Sequence, residues 1–172
     1  MEIGFGREVS PFHERQGEWW RFSEIWVNVS RIRAEVKDAK DFVDRTTAIL
    51  AKRLNPLGVG FVSDDVIEGE EHALVCALHA VRRASRGCQR TRNIGLDLLL
   101  YASGTRHVSK ALDNAGIKDT DETLWIAIFM PSCNGLIPPE DIASSIDACI
   151  LEKEWRTAAT PTALETASRV DL

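Results

Sequence analysis

In the segment 25–34, the β-branched residues Ile25, Val27 and Val29 alternate with other residues. This two-residue period predicts a strand with one buried face. Two further segments predict strands. Residues 57–62 are β-branched and aromatic, with Gly58 and Gly60 permitting the close approach of another backbone. Residues 124–129 are apolar at every position, which predicts an interior strand with both faces buried.

Apolar residues recur at the helical period of three or four positions in the segments around these strands. The predicted helices cover residues 38–54, 69–86, 92–102, 105–115 and 139–150, and a last one begins near residue 160. This order predicts an α/β fold, namely a single compact mixed α/β domain with a small sheet and a central helical cluster. The domain is expected to span residues 25–172, and residues 1–24 form an N-terminal segment of unknown role.

Several helix ends carry start or stop residues. Asp38 can cap the first helix, Gly87 can end the second, and Thr105 can cap the fourth. Gly116 suits a Schellman stop at the end of the fourth helix. One stripe of that helix is expected to face inward: Val108, Ala111, Leu112 and Ala115.

The sequence contains no predicted membrane segment and no export signal. The longest wholly apolar run, residues 124–130, has seven residues and is too short to cross a bilayer. Residues 1–23 mix charges with tryptophans and lack the apolar core of a signal peptide. A cytoplasmic protein without a membrane partner is therefore expected.

The sequence contains no recognisable motif for a cofactor or a metal ion. The four cysteines form no C-x-x-C pair, and the glycine runs lack the third glycine or the lysine of a phosphate-binding loop. His72 and His79 are seven residues apart and are interpreted as polar-face histidines of a basic surface, not as metal ligands. The chain is therefore expected to use no metal, no cofactor and no small-molecule substrate.

Asp97 stands alone among the leucines of the third predicted helix. General acid–base catalysis recruits a second titratable group of different environment, and none lies nearby in the sequence. Asp97 is therefore assigned a structural role, as the ion-pair partner of Arg92 or Arg106. Ser103 is interpreted as a turn or cap residue because its neighbours do not form a nucleophile elbow. No catalytic residue is assigned, and the chain is not expected to be an enzyme.

The net charge of −5 conceals a local excess of positive charge. Residues 72–110 contain seven Lys or Arg and one acid, a net charge of +6, so the remainder of the chain carries −11. Arginine forms forked bonds to phosphate and stacks on bases, so RNA is the expected anionic partner, although a merely solvated face is the alternative. The candidate RNA-binding residues are His79, Arg82, Arg83, Arg86, Arg90, Arg92, Arg106, His107 and Lys110.

The residues of the second to fourth predicted helices are similar to those of a known family. They read HALVCALHAVRRA over residues 72–84 and RNIGLDLLLYASGTRHV over residues 92–108, followed by Ala111-Leu112 and Gly116-Ile117. This order resembles the kinase-binding subunit of the KEOPS complex, a family that includes the PRPK-binding proteins of eukaryotes and their archaeal counterparts. Asp97 stands where that family usually has Glu, and His107-Val108 stands where Gln-Ile is usual.

The resemblance implies a non-catalytic adaptor that docks on the small atypical kinase of KEOPS. It also implies help in recruiting tRNA, through its 3′ CCA end, for N6-threonylcarbamoylation of the adenosine next to the anticodon. The candidate RNA-binding residues would then form the tRNA surface. The kinase interface is expected on the C-terminal helices, because apolar residues at a chain end can remain unburied by the domain. The candidates for that interface are Ile146, Ile150, Trp155 and Leu164.

Two other functions remain open at this level. A free-standing RNA-binding module needs only the basic surface, although the chain lacks the aromatic strands of an RRM and the GXXG loop of a KH domain. A small hydrolase or transferase would need Asp97, Ser103 and a histidine in one pocket.

Overall fold

Eleven helices and strands follow one another within residues 14–152, the part of the chain that this computed structural model describes. In chain order they are β1 (Glu14–Gln16), β2 (Trp19–Phe22), β3 (Ile25–Arg33), α1 (Ala39–Arg53), β4 (Gly58–Ser63), α2 (Glu70–Ser85), α3 (Ile94–Ser103), α4 (Val108–Ala115), β5 (Thr123–Met130), α5 (Pro139–Ser145) and β6 (Cys149–Ile150). The predicted class, a single mixed α/β domain, is confirmed.

The strands form one antiparallel sheet with the order β1-β2-β3-β5-β4. In addition, β6 pairs with the C-terminal end of β3. β5 lies between β3 and β4 and is hydrogen-bonded to both. Its side chains are buried on both faces of the sheet, from Leu124 to Met130. The predicted interior strand is therefore confirmed, and its continuous apolar run follows from this central position.

Helices cover both faces of the sheet, which gives three layers. On one face, α2, α3 and α4 pack over side chains such as Val29 and Phe129. On the other face, α1 and α5 pack over side chains such as Phe61 and Ile126. Within residues 14–152, none of the helices is long and apolar enough to span a bilayer.

The ends of α1 and α2 follow the prediction. Asp38 caps α1, because its carboxylate accepts a hydrogen bond from the backbone N–H of Asp41 at 2.7 Å. After α2 the chain reverses at Gly87, whose φ of +67° lies in the left-handed region. The N–H of Cys88 donates to the carbonyl of Arg83 at 2.8 Å, which is the bond that defines a Schellman motif.

The prediction for α4 is wrong in three respects. The N-cap is His107, and Thr105 only accepts a bond from the His107 N–H at 3.3 Å. Gly116 is extended, with φ −66° and ψ 152°, so no Schellman motif forms there. Val108 and Leu112 are 38% and 48% exposed. α4 is short and packs mainly on α3, so its small residues fill the contact and the larger apolar ones stay outside.

The predicted helix over residues 139–150 is too long. α5 ends at Ser145, and the next residues turn through Asp147, at φ +53°, into β6. The hydroxyls of Ser144 and Ser145 bond to carbonyls one turn back, which competes with the helix. β6 then pairs with the exposed edge of β3. The predicted helix near residue 160 lies outside the described residues.

The sequence pattern did not indicate the hairpin that precedes β3. β1 and β2 pair with each other and extend the sheet beyond β3. The indole N–H of Trp19 donates to the carbonyl of Ile137 at 2.8 Å, and the buried Asn28 amide donates to the carbonyl of Glu18 at 3.0 Å. These bonds tie the hairpin to the loop before α5 and to β3.

Glycines allow α3 to lie directly on the edge strand β4, as predicted for this strand. A Cβ atom at Gly95 would lie 2.2 Å from the carbonyl oxygen of Val59, and one at Gly60 would lie 3.1 Å from the carbonyl oxygen of Gly95. The two backbones therefore touch without intervening side chains. This contact sets the position of α3 on the sheet.

Gly95→Ala tests this contact, because two effects of opposite sign compete. Replacing glycine by alanine within a helix ordinarily stabilises it by about 0.5–1 kcal/mol. Here the new methyl group meets backbone atoms, so we expect a loss of about 1–3 kcal/mol in the free energy of unfolding, measured with urea. Ser109→Ala at an exposed position of α4 is the control. A Gly95→Ala protein as stable as the wild type would contradict the contact.

Candidate nucleic-acid interface

The C-terminal end of α2 carries four of the nine candidate RNA-binding residues. His79, Arg82, Arg83 and Arg86 have the spacing i, i+3, i+4 and i+7, and the structure places all four around one cavity of about 330 Å³, together with Cys88. We call this cavity, which the five residues line, the basic cavity. Arg82 and Arg86 are exposed, whereas His79 and Arg83 are partly buried against α3.

Tyr101 of α3 orders the buried side of the basic cavity. The guanidinium Nε of Arg83 donates to the Tyr101 hydroxyl at 2.6 Å. The ring of His79 stacks on the Tyr101 ring, with centroids 5.1 Å apart and an interplanar angle of 27°. Sequence reasoning missed Tyr101, although it is the only tyrosine in the chain and lies on a buried stretch of leucines.

His79 is held as a neutral ring in a cationic setting. Burial lowers its pKa from the ordinary value, and the nearby charge of Arg82 lowers the pKa further. Its Nδ1 atom is buried and has no hydrogen-bond partner among the described residues. The ring can therefore offer a flat stacking face without adding charge.

Asp97 fixes the loop that joins α2 to α3. Its buried carboxylate accepts hydrogen bonds from the backbone N–H groups of Arg90, at 3.2 Å, and of Thr91, at 3.0 Å. The predicted ion pair with Arg92 or Arg106 was wrong, because the contacts of Asp97 in the described chain are these two amides. The loop curls back over the first turn of α3, so backbone donors reach the carboxylate. Asp97 thus positions a loop that carries two arginines.

The other predicted RNA-binding residues lie outside the lining of the basic cavity. Arg90 and Arg92 are exposed on the loop that Asp97 holds. Arg106, His107 and Lys110 are exposed where α4 begins, shortly after Tyr101 in the chain. The structure therefore brings four of the nine predicted residues into one cavity and leaves the other five on adjoining surface segments.

His72 does not belong to the basic surface. It is only 3% exposed, and its Nδ1 atom accepts a hydrogen bond from the backbone N–H of Glu68 at 3.2 Å. The interpretation of His72 as a polar-face histidine was therefore wrong, since this position of α2 packs against the domain. Among residues 14–152, no group of three His, Cys, Asp or Glu side chains is placed to hold a metal ion.

A hydrolase would need Asp97, Ser103 and a histidine in one pocket, but each of these side chains contacts a different group. Asp97 binds the loop amides, and the Ser103 hydroxyl donates to the carbonyl of Leu100 at 3.2 Å within its own helix. His72 faces Glu68, and His79 stacks on Tyr101. These contacts do not form the nucleophile–base pairing that such an enzyme would need.

Two of the predicted kinase-interface residues lie within the described chain. Ile146 is 8% exposed and belongs to the core under α5. Ile150, on β6, is partly buried and packs against the same core. Both side chains therefore contribute to folding. Trp155 and Leu164 lie outside the described residues.

Comparison with known proteins identifies a family. A family model described as kinase binding protein CGI-121 matches residues 33–170, from the last residue of β3 to near the C-terminus. The match includes α2, α3 and α4, which carry the basic cavity and the loop held by Asp97. No curated protein matches the chain significantly.

Asp97→Ala should destabilise the fold. The change leaves the partly buried N–H groups of Arg90 and Thr91 without their acceptor, and a hydrogen bond to a charged group contributes about 1.5–3 kcal/mol. We expect a loss of that size in the free energy of unfolding by urea titration. Asp113→Ala, at an exposed position of α4, should change the stability little. Wild-type stability of Asp97→Ala would refute the role assigned to the carboxylate.

The buried His72 predicts a dependence of stability on pH. Burial lowers the pKa of His72 below the ordinary 6.5, so the unfolded chain binds the proton first as the pH falls. The free energy of unfolding should therefore decrease below about pH 6.5 and level off below the folded-state pKa. In His72→Gln the decrease between pH 7 and pH 5, measured by urea unfolding, should be smaller. An identical decrease in both proteins would exclude His72 as a cause.

Proposed function

Because the chain belongs to the CGI-121 family of kinase-binding proteins, we propose that it is the non-catalytic, kinase-binding subunit of a KEOPS complex. In this role it binds the small kinase of the complex in the cytoplasm and helps recruit tRNA for N6-threonylcarbamoyladenosine formation. The observation that supports the kinase partner is the family match over residues 33–170. The tRNA partner is supported by the basic cavity.

The basic cavity has the chemistry that single-stranded RNA requires. Arginine guanidinium groups donate forked bonds to phosphate, and aromatic rings stack on unpaired bases. Arg82 and Arg86 supply exposed guanidinium groups, and His79 supplies a stacking ring that Tyr101 supports. The bond from Arg83 to Tyr101 restricts the Arg83 rotamers before RNA arrives, which lowers the entropy that binding loses.

The size of the basic cavity favours an unpaired end over a duplex. Its volume of about 330 Å³ lies at the lower end of the roughly 300–1,000 Å³ typical of pockets for small ligands. Such a cavity admits about one nucleotide. A nucleotide can enter it only if its base is not paired within a duplex. The unpaired 3′ CCA end of tRNA meets this requirement.

A free-standing RNA-binding module is the second candidate. The basic cavity favours it independently of any kinase, because the cavity is formed by α2 and the loop that follows it, with α3 behind. The two candidates differ in whether the protein requires the kinase for its function.

Size-exclusion chromatography with the KEOPS kinase subunit of the same organism distinguishes these candidates. We expect the two proteins, mixed at micromolar concentration, to elute together at a larger apparent mass than either alone. Elution as two separate proteins would contradict the adaptor function and leave the RNA-binding module. The kinase domain of an unrelated protein is the negative control.

The basic cavity predicts a specific change in the salt dependence of tRNA binding. About four phosphate contacts would give a slope of roughly −3 for log K against log salt. Replacing Arg82, Arg83 and Arg86 by Ala should weaken binding and flatten this slope by about 2, since each lost contact removes roughly 0.7. Filter binding of tRNA at several salt concentrations measures both quantities.

A matched control separates the basic cavity from general charge. The triple change of Lys37, Lys52 and Arg53 to Ala removes the same charge from exposed positions in and near α1, on the other face of the sheet. It should alter tRNA binding much less. Equal loss in both triple variants, or no loss in either, would contradict the assignment.

A further inference from the structure

A second cavity, of about 380 Å³, lies on the far side of α3 from the basic cavity. It runs between α1 and the pair α3–α4, alongside the edge strand β4, and its lining is almost wholly uncharged. The apolar walls include Val43, Phe61, Leu96, Leu99, Leu112 and Ile117. We call this cavity the apolar groove. It shares no lining residue with the basic cavity.

Leu112 lines the groove, and Val108 lies one turn before it on α4. Val108 and Leu112 are 38% and 48% exposed, and they lie one turn apart on α4, so they form a continuous apolar ridge. Within the described chain, four large hydrophobic residues are exposed, and two of them make up this ridge. The apolar stripe of α4 is thus wider than the surface that residues 14–152 cover, which is typical of a helix that binds a partner.

The charge at one end of the groove limits what can bind there. Lys118 follows the lining residue Ile117, and its ammonium group donates to the carbonyl of Asp113 at 2.8 Å, at the C-terminal end of α4. This partner is a carbonyl group, so it does not cancel the lysine charge. Lys40, also on the lining, is instead paired with Asp44 at 3.1 Å. Asp119 and Asp121 lie within three residues of Lys118, and the Asp121 carboxylate accepts a hydrogen bond from the backbone N–H of Lys118 at 2.8 Å, so this end of the groove does not favour an acidic partner group.

We propose that the apolar groove and the Val108–Leu112 ridge are the docking surface for the kinase partner, which would insert apolar side chains. This inference rests on the proposed function, because membership of a kinase-binding family is what supplies the partner. A small apolar ligand confined to the groove would leave the ridge exposed. RNA binds mainly through cationic groups that contact its phosphates, so an almost uncharged groove is a poor site for RNA.

The position of this surface allows two partners to bind at once. α3 separates the groove from the basic cavity, with Leu96 and Leu99 on the groove side and Tyr101 behind the basic cavity. A kinase on the ridge would therefore leave the arginines of α2 open to tRNA. The apolar groove and the basic cavity would both depend on α3 without sharing a lining residue.

The test compares two double variants with the same residue types. Val108→Ser with Leu112→Ser removes the ridge, and Leu57→Ser with Val75→Ser removes the two other exposed hydrophobic residues, which do not line the groove. All four side chains are partly exposed, so both variants should fold, which thermal melting verifies. The affinity for the KEOPS kinase subunit is measured by calorimetry, and tRNA binding is measured in parallel.

We expect the ridge variant to raise the Kd for the kinase about tenfold or more, as loss of a central apolar contact does, with tRNA binding unchanged. The control variant should bind the kinase like the wild type. If the wild type binds the kinase and the ridge variant binds equally well, the inference is wrong while the proposed function stands. If the wild type does not bind, both fail.

Light scattering on the free proteins tests whether a second copy of this chain, instead of the kinase, occupies the ridge. A wild type that self-associates, together with a monomeric ridge variant, would assign the ridge to a second copy of this chain and overturn the inference. A monomeric wild type is the expected result.

Discussion

The contact of α3 with β4 determines where the basic cavity and the apolar groove lie. Gly95 brings the helix backbone against the carbonyl of Val59, at a separation that no other residue type permits without displacement. Because α3 cannot lift away from the sheet edge, its side chains on either flank have fixed positions. Asp97 and Tyr101, one turn apart, serve the basic side, and Leu96 and Leu99 serve the apolar groove.

The polar contacts of α3 show how a buried helix can organise an exposed surface. The Asp97 carboxylate holds two backbone N–H groups of an arginine-bearing loop, and the Tyr101 hydroxyl holds the guanidinium of Arg83. Both anchors are buried, whereas most of the cationic groups they position face solvent. The arrangement reduces the freedom of the arginines before any ligand binds, which is the general route by which preorganisation raises affinity.

The sequence predicted those features that depend on a few neighbouring residues. The interior strand β5, the Asp38 cap and the reversal at Gly87 each follow from a local pattern, and the glycines of β4 indicated a close approach of another backbone. The position of α2's arginines on one face also follows from helical spacing alone. The family resemblance that the same residues carry was confirmed by the match over residues 33–170.

The features that the sequence did not predict depend on tertiary contacts. The partner of Asp97 is decided by the path of a loop, and β6 forms because β3 has an exposed edge. The stripe of α4 was expected to be buried, because an apolar period shows which side chains avoid water but not whether their own domain covers them. Leu112 lines the groove while remaining half exposed, and this difference from the expected packing is one basis of the proposed docking surface.

The central claim, that one chain holds a kinase and a tRNA on opposite sides of α3, is tested most directly by sedimentation of fluorescent tRNA. The labelled tRNA is first saturated with this protein, and the KEOPS kinase subunit is then added in steps. The account predicts a second, faster species that contains all three components, with no release of free tRNA. Displacement of the tRNA as the kinase binds would show that the two partners compete for one surface, and it would contradict the account.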